Sequence, residues 1–365
     1  PEFIYQPDWY RDIEYLQDLQ SGDTFQEDLY VPGYFEMSIE KGEEILFSAG
    51  DILVDTADLA KEFDFEIQKR TPRSSFYNCL RNSSHQFYYI PNKDEYYLLA
   101  GYPWFKVRAR DQFISLPGCT ISVGKPQDFE KIMDTAIPHL KDFMEDKYTK
   151  GYIKQIEDPD VLLWVIWSLQ QYWLEDNKRF IEKYGDFLFE IINYILSNRH
   201  ANLVYHEDNA LLSTFGREVA VSWMNAVIDG KPVVPRSGYL VEFNSLWYNA
   251  LKFAAEIASA TGKAELAETM EERAHLAGNS FIKTFMNDAG YLYDFVDGYN
   301  LDKNLRPNMI FAVSLPYSPL AKRQKKSVID YITKELLTNC GLRSLTPKSD
   351  KFHPHYSGSD YDKKQ

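Results

Sequence analysis

Three segments of the sequence combine charged, amide and aromatic side chains that could hold a hydroxyl-rich ligand. The first is GYPWFKVRARDQFISLPG, residues 101–118, in which Arg110 and Asp111 stand before an apolar helical run. A guanidinium offers five donors and a carboxylate offers two acceptors, so this pair could grip vicinal hydroxyls. The structural alternative is that Asp111 caps the helix and Arg110 is its ion-pair partner. The local sequence alone favours that alternative.

The second segment is SWMNAVIDGKPVVPRSGYLVEFNSLWYNAL, residues 222–251, a polar and aromatic insert that leads into a helix. Its candidate side chains are Trp223, Asn225, Arg236, Glu242, Asn244, Trp247 and Asn249. Burying amides and charges beside two tryptophans is costly unless a ligand or protein partners satisfy them. Glu242 falls in the first turn of the helix, where the dipole favours an anion, so capping and catalysis both remain open.

The third segment is LRPNMIFAVSLP, residues 305–316, where Arg306 and Asn308 precede another apolar helix. Simple helix capping at Pro307 is the structural alternative. The sequence has no glycine-rich phosphate loop, no G-x-S-x-G turn and no Cys-x-x-Cys pair. We therefore expect no cofactor and no metal site.

The charge balance restricts the partners of the chain. The 40 basic residues stand against 54 acidic ones, which gives a formal net charge of −14. Nucleic acid and anionic membrane surfaces attract clustered Lys and Arg, so neither is an expected partner. The sequence contains no unbroken apolar run of about 18 residues that could span a membrane. Its three widely spaced cysteines fit a reducing compartment, and we predict a cytoplasmic location.

Aromatic residues are frequent, with 26 Tyr, 23 Phe and 7 Trp. One interpretation is a large aromatic core. The other is that some rings line a sugar-binding cleft, because flat rings pack well against the faces of pyranose rings.

The first 70 residues differ from the rest of the chain. Within residues 34–51, apolar residues alternate up to Ile39, a turn follows at Lys41-Gly42, and a second apolar run occupies Ile45–Phe47. This pattern predicts a β-hairpin, and with few strands before it we interpret it as the tail of an N-terminal β-domain. The charged residues 52–70 predict a helical linker. Domains are therefore predicted over 1–70 and 71–365.

From about residue 73 the pattern is helical. Asp158-Pro159 is typical of an N-cap followed by proline in the first turn, and Gly262 is typical of a helix end. Further helical segments cover 179–199, 242–262, 263–286, 306–316 and 321–341. About nine helices in antiparallel pairs, with no strand run between them and no fixed repeat, favour a toroid over a solenoid. The polar inserts at 87–110 and 200–241 would then form a cleft at one end.

The three polar segments together resemble the amylo-α-1,6-glucosidase domain of glycogen debranching enzymes. That family typically shows G-[YF]-x-W-F-x-x-x-x-R-D-T-x-I-[SA]-L-P-G, then T-W-M-D…P-R-x-G-x-x-V-E-[IF]-N-x-L-W-Y-N-A-L, then L-R-P-N-x-[IF]-x-A-[VL]-S-L-P. Residues 101–118, 222–251 and 305–316 match these in order, GLRSLTP (341–347) is similar to the segment that follows, and the resemblance covers roughly 73–350. It implies an (α/α)6 toroid and inverting hydrolysis of α-1,6-linked glucose stubs on an α-glucan such as glycogen or limit dextrin.

The resemblance also suggests roles for the residues. Those predicted to bind substrate are Tyr102, Trp104, Arg110, Trp223, Arg236, Asn244, Trp247, Arg306 and Asn308. The catalytic candidates are Glu242, Asp111 and Asn225. Inversion requires a protonated carboxyl and a second carboxylate about 6.5–9.5 Å away. Asn225 stands where the family carries the acid of T-W-M-D, and an amide cannot donate that proton, so Glu242 and Asp111 are the nearest candidates for the acid.

The chain differs from the family pattern in two more places. KVRARD stands where many members read WGRD, which removes a tryptophan and adds bases. The family continues with a segment like Y-H-x-G-T-V-W-P-W and further helices that should carry the catalytic base. We therefore expect the base to lie beyond Gln365 and about nine of the twelve helices to be present. An unclosed ring would expose apolar helices, so further chain, a partner chain (self-association included) or disorder near the C-terminal edge is expected.

Two alternatives to hydrolysis remain. Asn225 and the absent base segment favour a glucan-binding relative without catalysis. A sugar epimerase or isomerase on the same toroid is the other, although such enzymes usually employ paired histidines in the cleft and this chain has only 7 His.

Overall fold

The structure is a computed structural model that describes residues 2–21, 24–50, 54–102, 104–148 and 151–354. These residues form two units, one of residues up to 82 together with 353 and 354, and one of residues 83–352. Across the described residues the chain is mainly helical, with eleven α-helices. None of these helices combines the length and apolarity that crossing a membrane requires.

The first unit contains an antiparallel hairpin. β1 (Glu2–Glu14) is followed by α1 (Leu16–Ser21) and pairs with β2 (Gln26–Glu36). The hairpin predicted within residues 34–51 is wrong, because residues 37–50 form no strand. β2 instead pairs along its length with the upstream strand, and a longer partner of alternating side chains offers more cross-strand contacts than the short run Ile45–Phe47.

The remaining helices and strands follow in chain order. They are α2 (Leu59–Lys69), α3 (Phe76–His85), β3 (Tyr88–Asn92), β4 (Glu95–Leu98), α4 (Ala109–Cys119), α5 (Pro126–Met144), α6 (Val161–Glu175), α7 (Asn177–Leu196), β5 (Val204–Tyr205), β6 (Leu212–Thr214), β7 (Val227–Ile228), β8 (Lys231–Pro232), β9 (Gly238–Leu240), α8 (Val241–Ala260), α9 (Ala264–Phe285), β10 (Phe295–Asp297), β11 (Asn300–Leu301), α10 (Phe311–Ser314), α11 (Lys322–Glu335), β12 (Leu337–Thr338) and β13 (Gly341–Leu342). α2 lies in the predicted linker 52–70, of which residues 52 and 53 fall outside the described residues.

The helical pattern of the sequence agrees with the structure. From residue 73 on, the described residues contain nine α-helices, α3 to α11, which is the predicted number. α6 is buried on nearly every side and packs against α4, α7 and α8. α8 ends before Gly262, whose φ of +73° is the left-handed conformation that glycine adopts without strain. Closure of the helices into a toroid stays a prediction.

The start of α6 differs from the prediction. The helix begins at Val161 after Asp160, two residues later than an N-cap at Asp158 requires. The Asp158 carboxylate binds an arginine instead of the helix N-terminus. The ion pair is the stronger attraction, since a carboxylate gains more from a buried guanidinium than from a backbone N–H.

A small sheet lies between the helices, contrary to the prediction of no strands there. Its strand order is β11-β10-β9-β6-β5, and all of its pairs are antiparallel. Strands of two or three residues are too short to show a period in the sequence. β9 runs directly into α8, and the Val241 N–H donates to the Asp294 carbonyl at 3.1 Å. The sheet therefore fixes where α8 begins.

Candidate functional site

A buried arginine lies where the small sheet meets α8. Arg236 is 2% exposed, and its Nε donates to Asp294 Oδ2 at 2.7 Å. Its Nη1 and Nη2 donate to the two carboxylate oxygens of Glu242, the Nη2 bond being 2.8 Å long. Nη1 also donates to Ser222 Oγ at 3.1 Å. One cation thus joins two carboxylates in the interior, where an unpaired charge is strongly destabilising.

A second arginine and an amide extend this buried network. Arg306 Nε lies 3.8 Å from Asp294 Oδ2, so the two cations balance the two carboxylates. Asn308 Nδ2 donates to Asp294 Oδ1 at 2.8 Å, while Asn308 Oδ1 accepts from Trp223 Nε1 at 2.7 Å. The network therefore ends on an indole and fixes the orientation of Trp223.

Trp223 forms one wall of a cleft of about 520 Å³, which we call the tryptophan cleft. Trp164 and Trp167 of α6 and Phe311 of α10 supply further rings. Trp164 lies edge-on to Trp167, with 5.8 Å between ring centroids, and edge-on to Phe311, with 5.4 Å. The other lining residues are Ile114, Gln171, Pro307, Asn308, Ile310, Ser314, Leu315 and Pro316. Apolar ring faces with a few amides suit a ligand that has flat C–H faces and hydroxyls.

Arg110 does not pair with its neighbour Asp111, which corrects the capping alternative. Arg110 is 4% exposed and donates Nε and Nη2 to the two oxygens of Asp160 at 2.7 and 2.8 Å. Nη2 also donates to Asp158 at 2.7 Å. Asp160 in turn accepts from Trp164 Nε1 at 3.1 Å. The guanidinium is therefore held by protein carboxylates, and through Asp160 it anchors a wall of the tryptophan cleft.

Asp111 is not among the residues that line the tryptophan cleft, but it lies one helical turn before one of them. It is exposed and stands in the first turn of α4 instead of capping it. Ile114, three residues later, lines the cleft. Residues three apart share a helix face, so Asp111 and Ile114 lie on the same side of α4.

Burial shifts the pKa of Asp158, which shares the Arg110 guanidinium with Asp160. It raises the pKa of Asp158 to about 6; Arg110 opposes this rise, and Asp160 and Glu157 add to it. Arg110 does not cancel the effect of burial, because one guanidinium serves two acids and gives its bidentate contact to Asp160. Asp158 is left with one bond and a neighbouring negative charge.

The Arg236 network shows the same competition. Burial raises the pKa of Glu242, while the bidentate contact with Arg236 opposes the rise. Burial alone lowers the pKa of Arg236, but Asp294 and Glu242 together raise it above the ordinary value. The guanidinium therefore stays charged, and both oxygens of Glu242 are occupied by it.

Asn244 and Trp247, both predicted to bind substrate, lie in the core. The Asn244 side chain accepts from the Leu212 N–H at 2.7 Å and donates to the Leu212 carbonyl at 2.9 Å. Trp247 Nε1 donates to the Ala210 carbonyl at 3.1 Å. These bonds fasten α8 to the segment around β6, and we do not include the two residues among those proposed to contact a ligand.

The structure does not bring all of the predicted residues into one place. Tyr102 lines a second cavity that shares no lining residue with the tryptophan cleft. Trp104 and Asn225 are exposed and line neither of these two cavities. Within the described ranges, no group of three His, Cys, Asp or Glu side chains could hold a metal ion.

The structure adds residues that the sequence reasoning missed. Asp294 is the acid that completes the Arg236 network, and Asp160 and Trp164 support the opposite wall of the cleft. A signal for Asp294 was present, because LYDFV places one carboxylate inside an apolar strand-like run and buried arginines need acidic partners. The sequence gave no comparable indication for Trp164, because most residues of α6 are apolar and no single tryptophan stands out among them.

Comparisons with known proteins place the chain among carbohydrate-acting proteins. A family model described as amylo-alpha-1,6-glucosidase matches residues 80–365, and one described as glycogen debranching enzyme N terminal matches residues 1–46. A solved Streptococcus pneumoniae structure, from a family of metal-independent alpha mannosidases and in a non-productive complex with alpha-1,6-mannobiose, has 12% sequence identity and a TM-score of 0.46. The match covers 80% of this chain and 81% of that one. No curated protein matches the chain.

Asp294→Asn tests the buried network. The change keeps the side-chain shape but leaves the two arginines with one carboxylate, so we expect the free energy of unfolding to fall by about 3–5 kcal/mol. Asp297→Asn is the matched control, because Asp297 pairs with the exposed Arg217 at 2.6 Å and its loss should cost about 1 kcal/mol or less. Denaturant unfolding measures both. Equal losses in the two variants would contradict the account.

Asp158→Asn tests the shared guanidinium through pH. The folded protein holds the Asp158 proton up to about pH 6, whereas the unfolded chain releases it near the ordinary value of 3.8, so stability should decline as pH rises through this interval. The variant should lose that decline and be at least as stable as the parent at pH 8. Asp160→Asn is the control and should be much less stable at pH 8. If the stability of Asp158→Asn declined with rising pH as that of the parent does, the decline could not be assigned to Asp158.

Proposed function

The chain belongs to the amylo-alpha-1,6-glucosidase family, a family of glycoside hydrolases, and from that premise we propose that it hydrolyses α-1,6-linked glucose stubs of glycogen or a limit dextrin. The reaction proposed is a single displacement by water with inversion at the anomeric carbon. A cytoplasmic location belongs to the same proposal, and the three free cysteines support it.

The observation that carries the proposal is the tryptophan cleft. Two of the sequence segments that resemble the family, 222–251 and 305–316, supply Trp223 and Asn308 to it. We propose that a glucose ring lies against the indole of Trp223 with Trp167 beside it, and that a hydroxyl of the ring bonds the amide of Gln171. Walls held by buried ion pairs lose little freedom when a ring binds, which favours affinity.

We propose Asp111 as the carboxyl that acts on the bound sugar. Its side chain is exposed one helical turn before Ile114, which lines the cleft, so it can approach a substrate without breaking protein contacts. Glu242, the other candidate, spends both oxygens on Arg236, and a proton donor must reach the leaving oxygen directly. We therefore propose that Glu242, with Arg236 and Arg306, positions the wall of the cleft.

Asn225 favours a second candidate function, α-glucan binding without hydrolysis. In this chain an amide stands where the resembling family motif carries the acid, and an amide does not supply a proton at neutral pH. The side chain is exposed, so no structural demand for the amide accounts for the change.

Asp111→Asn tests the proposed hydrolysis. Loss of a carboxyl that acts on the reacting groups should lower kcat/KM for glucose release from a limit dextrin by about 10²–10⁴-fold. Asp128→Asn is the control, since Asp128 also lies in the first turn of a helix, α5, and no residue of that helix lines the cleft, whereas Ile114 of α4 does. Proton NMR of the first-formed glucose reads the anomer, and inversion predicts the β form. Unchanged activity in Asp111→Asn would remove Asp111 from the mechanism.

Asn225→Asp separates the two candidate functions. If the parent chain binds dextrin but releases no glucose, the variant should acquire glucose release above the blank, because the exposed position tolerates a carboxyl. If the parent chain is active, the variant should change its rate by less than about tenfold, since the acid is then elsewhere. A parent that neither binds dextrin nor releases glucose contradicts both functions.

A further inference from the structure

A second cavity of about 570 Å³ lies in the unit formed by residues 83–352. The side chains that matter here are Tyr89, Tyr102, Phe105, Lys106, Tyr152 and Lys154. No residue of this cavity also lines the tryptophan cleft, so the two are separate. We call it the lysine cavity.

Backbone pairing brings the two lysines together. The Lys154 N–H donates to the Val107 carbonyl at 2.9 Å, and the Ala109 N–H donates to the Lys154 carbonyl at 2.9 Å. Lys154 is thereby fixed beside the segment that carries Lys106, although 48 residues of sequence separate the two. The juxtaposition is a property of the fold and not of local sequence.

Neither lysine pairs with a carboxylate of the residues that the structure describes. Lys154 Nζ donates to the Gly151 carbonyl at 2.8 Å, and among the described residues neither Lys106 nor Lys154 forms an ion pair. Other exposed lysines do, for example Lys147 with Glu145 and Lys326 with Asp330. In a chain of net charge −14, two unpaired ammonium groups at one cavity make a local positive potential.

The same cavity offers exposed ring faces. Tyr102 is 67% exposed, and Tyr152 and Phe105 are about half exposed. Tyr152 packs edge-on against Tyr89, with 5.7 Å between centroids, and the Arg108 guanidinium lies 4.4 Å from the centre of the Phe105 ring. These contacts hold the rings of Tyr152 and Phe105 while leaving part of each surface open to a ligand.

We propose that the lysine cavity binds a phosphorylated sugar. The ammonium groups of Lys106 and Lys154 would bond the phosphate oxygens, and the sugar ring would lie on the aromatic faces of Tyr102 and Tyr152. The phosphate monoester is either that of a free hexose phosphate or one carried on a glucan chain. The site goes beyond the proposed hydrolysis, and its binding does not rest on that activity.

The test is calorimetric titration of the full chain with glucose 6-phosphate, glucose and inorganic phosphate. Glucose 6-phosphate should bind at least about tenfold more tightly than either of the others, because only it uses both the bases and the rings. The double variant Lys106→Gln with Lys154→Gln should lose about tenfold or more of this affinity. Lys263→Gln with Lys326→Gln, which removes the same charge from exposed ion pairs elsewhere, should change it less than about threefold.

Further variants and ligands distinguish the possible outcomes. Tyr102→Ala should weaken the binding of glucose 6-phosphate but not that of inorganic phosphate, and because Tyr102 is exposed the change removes no core packing. A phosphorylated dextrin that loses affinity after phosphatase treatment would identify the glucan ester as the source, and binding of the free hexose phosphate alone would identify the other. Inorganic phosphate binding as tightly as glucose 6-phosphate, or no loss in the lysine double variant, would overturn the proposal. Glucose release from limit dextrin by the same double variant reports separately on the proposed hydrolysis.

Discussion

The attraction of one buried guanidinium for two carboxylates is the constraint on which the tryptophan cleft depends. Arg236 holds Glu242 at the start of α8 and Asp294 before β10, so it locks the small sheet to the helix. Asp294 also holds Asn308, and Asn308 holds the indole of Trp223. Because none of these groups can be removed without leaving another unsatisfied in the interior, the wall of the cleft is fixed by the same interactions that fix the fold.

The opposite side of the cleft repeats this arrangement. Arg110 joins Asp158 and Asp160, and Asp160 accepts from the indole N–H of Trp164. Each of two tryptophans is thus connected through hydrogen bonds to an arginine–carboxylate cluster. Such support lowers stability at Asp158, where the charge is poorly compensated, but it keeps the walls of the cleft rigid. Precisely placed supporting groups are what a binding site requires of its scaffold.

The sequence predicted the helices well and the contacts poorly. Long amphipathic or apolar segments such as α8 and α9 show their period, and Gly262 marks where one ends and the next begins. The strands of the small sheet have two or three residues and no period, so the sheet could not be predicted. At the site, residue type indicated that Arg110, Arg236 and Asn308 need polar partners. Which partners they have depends on contacts between segments 14 to 58 residues apart, as with Asp294, and a single sequence does not contain that information.

The central claim is that a glucose ring binds against the supported tryptophans. A crystal structure of the chain with isomaltose, an α-1,6-linked glucose disaccharide, tests it most directly. The account predicts a sugar ring in van der Waals contact with Trp223 and Trp167, with a hydroxyl bonded to Gln171 and the Asp111 carboxylate near the linkage. A disaccharide bound in the lysine cavity beside Tyr102, with the tryptophan cleft empty, would contradict it.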